Sequence, residues 1–396
     1  MGRKRRTPLA WKNLTHNPRR LLVAVSGVTF AVVLMFMERG FQNALFDSTV
    51  ALVRYLSADI VLVSSSRYSL STSSRFPLHA LSLARSCPHV QTAGPIYVEN
   101  FMSLLRRPNC CSRPIRAIGV DLHARVFVDE LADVLAGIRH QLQAPRTALI
   151  DVTSKESIYR VDPAGVSPTA PLLVELADKQ LQLIGSFHLG TDFANDGTLL
   201  MSQENFAFYF PLRELGHDPL STVDLGLIAC EPGSDLQQVK AQLQRTLGGS
   251  IDVHTRQELV DKEIHVWDRN TPIGVIFQVG MIMGFVVGVL ICYQVLYNDI
   301  ADHLAEFATL MAMGYGQRYF IGVVVREACY LALLGFLPGL CIAWTLFQLI
   351  TLWTGLTMSL SVADTGITLA FTVVMCIASG LLAVRKLLAA DPANLF

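Results

Sequence analysis

Four long apolar runs separate the polar parts of this 396-residue chain. A helix needs about 20 residues to cross the ~30 Å hydrocarbon core of a bilayer. One such run would also fit a buried helix of a soluble protein, but four in one chain predict four transmembrane helices. The uncharged runs are Leu21–Met37, Gly274–Tyr297, Ala328–Trp353 and Gly366–Val384.

Composition agrees with a membrane protein. Hydrophobic residues make up 52% of the chain and charged residues only 16%, whereas about a quarter is usual in soluble proteins. The net charge of zero gives no reason to expect nucleic acid as a partner. The first run follows a basic segment, as in a signal peptide, but Glu38-Arg39-Gly40-Phe41 offers no small-residue cleavage site. A retained anchor is the better interpretation.

The positions of Lys and Arg predict the orientation. Short cytoplasmic loops are enriched in these residues. The segment 1–20 carries seven of them, and Arg385-Lys386 directly follows the fourth run. The loop 353–364 carries none. These features place both termini in the cytoplasm and the long insert between spans one and two outside it.

The insert is expected to be an α+β domain. Phe41, Leu45, Leu52 and Leu56 recur at helical spacing and predict that the first helix continues out of the membrane. Short strand-like runs follow, at Ile60–Val63, Ile115–Val120, Ala148–Ile150 and Gln180–Ile184.

The end of the insert gives a clearer pattern. Val223–Ala229 predicts a strand, and Ser234–Leu247 a helix with Ser234 as its N-cap. Ile251–His254 predicts a second strand, followed by a helix from about Arg256. Thr271 is expected to cap span two, with Pro272 as its first residue.

Motifs of enzymes and metal sites are missing. The sequence contains no P-loop, HExxH, GxSxG or Gly-rich dinucleotide loop, and its histidines lack ligand spacing. We therefore expect no catalytic residues, no cofactor and no metal. Four cysteines lie in the polar insert, and Cys87 could form a disulfide with Cys110 or Cys111. We favour the alternative that these cysteines, including Cys230, are free thiols.

The loop after span two carries the most informative pattern. In the segment Asp299–Tyr315, the residues Leu304, Phe307, Ala308, Leu310, Met311 and Met313 form an apolar face at helical spacing, and Gly314 is a natural stop. A short amphipathic helix of this kind lies on the membrane as a connector or docks in a groove of a partner protein.

This segment resembles the coupling helix of FtsX-like ABC permeases. Glu306 matches the acidic residue of the family pattern, Leu310 its leucine, and Ala312-Met313-Gly314 its closing triplet. The run Asp302–Leu310 is closer still to the DevC subgroup of the MacB-like systems. The departures are Ala305 and Met311, where the family often has basic residues. The segments Leu9–Leu14, Arg326–Ala328 and Asp391–Ala393 also fit the resemblance.

The resemblance implies the membrane subunit of an ABC exporter of MacB or DevC type, which is not itself an enzyme because a separate ATPase binds the ATP. The implied partners are that ATPase, a second copy of the chain, a periplasmic membrane-fusion protein and a TolC-like outer-membrane channel. The chain would lie in the bacterial inner membrane, couple ATP hydrolysis to movement of the periplasmic domain and export an unknown substrate. A lipid-like molecule is one candidate for that substrate.

Two other functions stay open at this point. One is a non-transporting, FtsX-like transmitter that regulates a periplasmic partner. The other is a membrane-anchored receptor or enzyme that works without an ATPase.

The predicted organisation is an α-helical membrane protein with four transmembrane helices and a periplasmic α+β domain inserted between helices 1 and 2. Its segments are an N-terminal interfacial helix at 1–20, spans at 21–39, 272–298, 322–353 and 366–385, the periplasmic domain at 40–271, the coupling loop at 299–321, a short periplasmic loop at 354–365 and a cytoplasmic tail at 386–396. The predicted ATPase-coupling residues are Asp302, His303, Glu306, Phe307, Leu310, Met313, Gly314 and Tyr315.

Overall fold

The computed structural model describes residue 11 and residues 17–107, 112–124, 126–155, 162–190, 195–214, 218–302, 313, 317–354 and 358–389. The chain divides into two compact units. Unit 1 comprises Met1–Asn43, Pro272–Ile350 and Met358–Phe396, and unit 2 comprises Ala44–Thr271 and Thr351–Thr357.

The helices are α1 (Pro18–Tyr55), α2 (His79–Arg85), α3 (Asp129–Leu142), α4 (Gln203–Tyr209), α5 (Leu236–Leu247), α6 (Arg256–Arg269), α7 (Pro272–Asp302), α8 (Gln317–Thr354) and α9 (Val362–Ala389). The strands are β1 (Ile60–Ser64), β2 (Phe76–Pro77), β3 (Val90–Glu99), β4 (Leu104–Arg106), β5 (Arg113–Pro114), β6 (Arg116–Val120), β7 (Thr147–Asp151), β8 (Leu172–Leu176), β9 (Lys179–Phe187), β10 (Thr198–Ser202), β11 (Thr222–Val223), β12 (Leu225–Cys230) and β13 (Ile251–Thr255).

Four helices, α1, α7, α8 and α9, are long and apolar enough to cross a membrane, within the part of the chain that the structure describes. The prediction of four such helices from the apolar runs is therefore confirmed. Helix α1 has 38 residues and no break, so at about 1.5 Å per residue it is roughly 57 Å long. Its residues belong to unit 1 as far as Asn43 and to unit 2 from Ala44 onwards.

Glycines let the helices of unit 1 approach one another closely. A Cβ on Gly335 of α8 would lie 2.5 Å from Val28 Cβ of α1, and one on Gly339 would lie 2.9 Å from Val32 Cβ. The hydroxyl of Thr29 donates to Gly335 O at 3.1 Å. Small residues of this kind allow backbone-to-backbone packing, which drives helix association in lipid. Helices α1 and α8 thus form a tightly packed pair.

An acidic side chain of α8 is buried inside this helical unit. The sequence places Glu327 just before the third apolar run, but α8 begins ten residues earlier, at Gln317. Glu327 is only 1% exposed. The expectation of spans without internal charge therefore holds for the apolar runs but not for the whole of α8.

Unit 2 is built on a mixed sheet. Its strands lie in the order β13-β1-β12-β3-β6-β10-β7-β9-β8-β4-β5, and β11 and β2 form a separate pair. The pairs β6–β10 and β7–β9 are parallel. Strand β1 pairs with both β12 and β13 in antiparallel fashion. The two strands of the predicted strand–helix–strand unit, β12 and β13, are therefore not neighbours, because β1 lies between them.

Helices cover both faces of this sheet. Ile60 and Leu62 of β1 pack in the core that contains Leu81 of α2 and Leu243 of α5. The alternate residues Val61 and Val63 pack in a second core. Its members from the helices are Val50 and Val53 of α1, Leu131 and Leu142 of α3, and Leu259 and Val260 of α6. Strands that are buried on both faces have continuous apolar sequences. This explains why these strands could be predicted from the sequence.

The structure corrects one predicted helix cap. The N-cap of α5 is Asp235, whose carboxylate accepts from Gln237 N at 2.9 Å. The predicted cap, Ser234, instead donates its hydroxyl to Glu231 O. Helix α7 does begin at Pro272, and the hydroxyl of Thr271 donates to Trp267 O at 2.7 Å.

The cysteines of unit 2 that the structure describes carry no disulfide. Cys87 and Cys230 are buried free thiols, as the favoured alternative expects. Burial raises the pKa of Cys230 to about 11, with a smaller contribution from Asp59. Cys110 and Cys111 lie outside the described residues.

Candidate functional site

The ends of α1 and α7 form one candidate site in unit 1. Asp302, the last residue of α7, makes an ion pair with Arg20 in the first turn of α1. Asn17 precedes the helix, and its carbonyl accepts from Leu21 N at 3.1 Å. The Arg20–Asp302 pair therefore ties the last turn of α7 to the first turn of α1.

Two of the eight predicted coupling residues belong to the described part of the chain. Asp302 is engaged by Arg20, and its side chain is about half exposed. Met313 is 64% exposed, and its coupling role, like that of Asp302, stays a prediction. His303, Glu306, Phe307, Leu310, Gly314 and Tyr315 lie outside the described residues, so their role stays a prediction.

A polar cluster joins α1 to α9 elsewhere in unit 1. The Arg39 guanidinium donates to Asp364 Oδ1 at 2.8 Å, and the Asn43 amide donates to Asp364 Oδ2 at 2.7 Å. Asp364 is 8% exposed and lies in the first turn of α9, where a carboxylate is stabilised by the helix dipole. Both carboxylate oxygens are therefore satisfied by α1.

Within unit 2, the end of α1 and the start of α6 are connected directly. Arg256, the first residue of α6, donates from Nη1 to Leu56 O at 3.1 Å. Both helices also contribute side chains to the same core on one face of the sheet. The two segments that lead to the membrane-type helices α1 and α7 are thus anchored together on that face.

A buried carboxylate in the middle of α6 makes two hydrogen bonds. Glu263 accepts from Leu70 N and from Trp267 Nε1, each at 2.9 Å. Burial raises the pKa of Glu263, while the Leu70 hydrogen bond acts in the opposite direction. The contact with Leu70 fixes α6 to the loop that follows β1.

An arginine–carboxylate cluster lies inside unit 2. Asp224 makes an ion pair with Arg213, and Arg67 and Arg75 lie within 3.7 Å of the same carboxylate. Asp224 Oδ2 also accepts from Val98 N at 2.7 Å. Burial raises the pKa of Asp224, and Arg213 opposes that shift. These residues join β3, β12 and the loops beside them, and no pattern in the sequence indicates that they meet.

The cluster around Asp364 was also missed in the sequence analysis, although a signal exists. Arg39 and Asp364 have opposite charges, and each lies next to the end of an apolar run. In a four-helix membrane unit, two such residues on the same side of the membrane are candidates for an ion pair.

Comparison with known proteins identifies the C-terminal part of the chain. Residues 279–392 match the family described as "FtsX-like permease C-terminal". This C-terminal part is therefore an FtsX-like permease domain. The matched residues run from α7 to α9 and include the predicted coupling segment. Permeases with this domain are transmembrane subunits of ABC transporters, which work with an ABC ATPase.

Two solved structures resemble the permease weakly. The periplasmic region of MacB from Actinobacillus actinomycetemcomitans is 10% identical, with a TM-score of 0.34, and the match covers 52% of this chain and 92% of that one. The extracellular domain of the noncanonic ABC-type transporter YknZ from Gram-positive bacteria is 14% identical, with a TM-score of 0.32, covering 50% and 99%. None of the curated proteins compared with the permease matches it in sequence.

Proposed function

We propose that the permease transmits the ATP-driven motion of a separate ATPase to unit 2 and so drives export of a substrate. The observation that supports this most is the family match over residues 279–392, because it includes the segment 302–315 with its amphipathic pattern. On this proposal that segment docks on the ATPase, and unit 2 lies on the other side of the membrane. Two copies of the permease work with two ATPases.

The contacts in unit 1 would allow its helices to pass on a movement as rigid bodies. Movement of the docked segment would pull on α7 at Asp302, and the Arg20–Asp302 pair would pass the movement to α1. The glycine contacts with α8 hold α1 against its neighbour. Packed helices move as bodies rather than deform, so α1 carries the motion along its 38 residues.

The arrangement in unit 2 suits the receiving end of such a motion. The end of α1 and helix α6 pack in the same core and are linked through Arg256 and Leu56. A displacement of either helix would therefore act on the same face of the sheet. Partner proteins of the DevC type, namely a membrane-fusion protein and a TolC-like channel, would read the resulting change in unit 2.

The test is ATPase activity of the reconstituted complex. We expect Glu306→Gln and Leu310→Asp each to abolish stimulation of the ATPase by the permease while the permease stays folded, because the docking face loses its acid or its apolar centre. Asp299→Asn, an acid-to-amide change in the last turn of α7 and outside the predicted set, is the matched control.

Unchanged stimulation and co-purification in both docking variants would contradict the proposal. If stimulation is lost and transport is absent even in the unaltered complex, the regulatory function replaces export. Affinity purification from mild detergent then identifies which periplasmic partner binds unit 2.

A further inference from the structure

A cavity opens between the ends of α1 and α7 in unit 1. Its volume is about 480 Å³, which falls within the usual range of about 300–1,000 Å³ for small-molecule sites. Its polar lining comes from Arg19, Arg20, Asn298 and Asp302, among others. The coupling proposal uses only the Arg20–Asp302 pair and leaves this cavity unexplained.

The lining changes from charged to apolar along the helices. Leu21 and Ala24 of α1 and Val295 and Leu296 of α7 form the apolar part, and all four belong to the uncharged runs that are expected to lie in the membrane. Arg19, Arg20 and Asp302 lie beyond the ends of those runs. A ligand that fits this gradient has a charged head and an apolar body, and it lies at the depth of lipid headgroups.

The charge of the lining selects an anion. The charged residues of the cavity are two arginines and one carboxylate, so one positive charge remains in excess. Asp302 is paired with Arg20, and the described residues provide no acidic partner for Arg19. The surrounding sequence adds to this field, because five Lys or Arg lie in residues 1–16 and the first acidic residue of the chain is Glu38.

We infer that this cavity binds an anionic phospholipid. The phosphate would be held by the guanidinium of Arg19 with the Asn298 amide beside it, and the first part of an acyl chain would lie against Leu21, Ala24 and Leu296. Basic pockets between membrane helices bind acidic headgroups in this way. The bound lipid would join α1 to α7 beside the Arg20–Asp302 pair. The inference rests on α1 and α7 crossing the membrane and does not depend on the partner ATPase.

The test is native mass spectrometry of the purified full chain. The chain is incubated in detergent with one of three probes, and the spectrum shows whether the probe stays bound when the detergent is removed. The probes are dioleoyl phosphatidylglycerol, dioleoyl phosphatidylcholine with the same acyl chains, and glycerol 3-phosphate as a headgroup without chains. We expect retention of phosphatidylglycerol, at least about tenfold weaker retention of phosphatidylcholine, and no retention of glycerol 3-phosphate, since both charge and acyl contact are needed.

Three variants locate the binding. In Arg19→Gln/Arg20→Gln, retention of phosphatidylglycerol should fall roughly twentyfold, because each basic residue near an anionic lipid is worth about fivefold. Ala301→Trp keeps both arginines but fills the cavity, so it should lose the lipid as well. Arg318→Gln, an exposed arginine at the start of α8 outside the cavity, should bind as the unaltered chain does.

Several results would overturn the inference. Equal retention of the two phospholipids would show that charge does not select the ligand. Retention of glycerol 3-phosphate would show an anion site without a lipid. Undiminished binding by folded Ala301→Trp would place the lipid elsewhere on the surface, and no retained lipid at all would leave the cavity to a protein segment. Circular dichroism of each variant reports whether it is folded.

Discussion

Several charged residues near the membrane-type helices are engaged in specific pairs. Arg39, Asn43 and Asp364 form a compact, largely buried group between α1 and α9. Arg54 and Asp47 make a pair with a similar distance of 2.7 Å, but both side chains are about half exposed. The two pairs have the same chemistry and differ in solvation, which decides how much each stabilises the protein.

The first prediction compares these two pairs. A double-mutant cycle with Arg39→Gln and Asp364→Asn should give a coupling energy of about 1–2 kcal/mol, because the buried carboxylate loses charged donors. The matched cycle with Arg54→Gln and Asp47→Asn should give less than about 0.5 kcal/mol. The measurement is unfolding of the full chain in mixed detergent micelles. Equal coupling energies in the two cycles would refute the assigned role of Asp364.

A histidine makes unit 2 sensitive to pH. His254 lies within 3.2 Å of Lys262 Nζ and within 3.8 Å of Asp252. Burial lowers the pKa of His254, and Lys262 lowers it further. In the folded chain the ring therefore resists protonation, whereas in the unfolded chain it takes up a proton near pH 6.5.

This difference in the pKa of His254 between the folded and the unfolded chain determines how stability changes with pH. Above pH 6.5 the ring is neutral in both the folded and the unfolded chain, so its titration does not reduce the stability of the fold. As the pH falls below 6.5 towards the lowered pKa, the unfolded state gains protons and stability is lost, by at most about 1.4 kcal/mol per pH unit. His254→Gln should reduce the loss of thermal stability between pH 7 and pH 5, and the exposed His79→Gln should not. An identical pH dependence in the two variants would contradict this.

At the level of elements, burial decides which strands and helices can be predicted from the sequence. Strands β1, β6 and β7 are buried on both faces and stand out as short apolar runs. Strand β3 was not predicted, because its ten residues include exposed Gln91 and Thr92 and the turn-formers Gly94 and Pro95. Helix α3 was missed because its polar residues conceal a narrow apolar face. The α+β class was therefore predictable, and the strand order was not.

The glycines of α8 give an element-scale prediction. Gly335→Ala should destabilise the packing of α8 on α1 by roughly 1–3 kcal/mol, since the new methyl group overlaps Val28 and little can move. Gly322 is in the same helix with nothing within 4 Å, so Gly322→Ala should be neutral or slightly stabilising. Thermal unfolding in detergent measures both. A Gly335→Ala chain as stable as Gly322→Ala would mean that the two helices are not packed in this way.

For the whole molecule, the sequence predicted more of the organisation than of the chemistry. Four apolar runs were enough to predict four membrane-type helices, because the bilayer sets a length that few soluble helices share. The cluster around Asp224 could not be predicted in the same way, because its members come from separate segments that only the fold brings together. For the Asp364 cluster, the sequence offered only two opposite charges beside apolar runs. The coupling segment stays a prediction from its pattern of apolar residues and its resemblance to a family.

The central claim is that the coupling segment and unit 2 face opposite sides of the membrane. Labelling with a membrane-impermeant maleimide tests it, using intact cells and a chain whose eight own cysteines are replaced. Ser82→Cys, exposed on α2 of unit 2, should react in intact cells, and exposed Met313→Cys should react only after the membrane is permeabilised. Reaction of both positions from the same side would contradict the account.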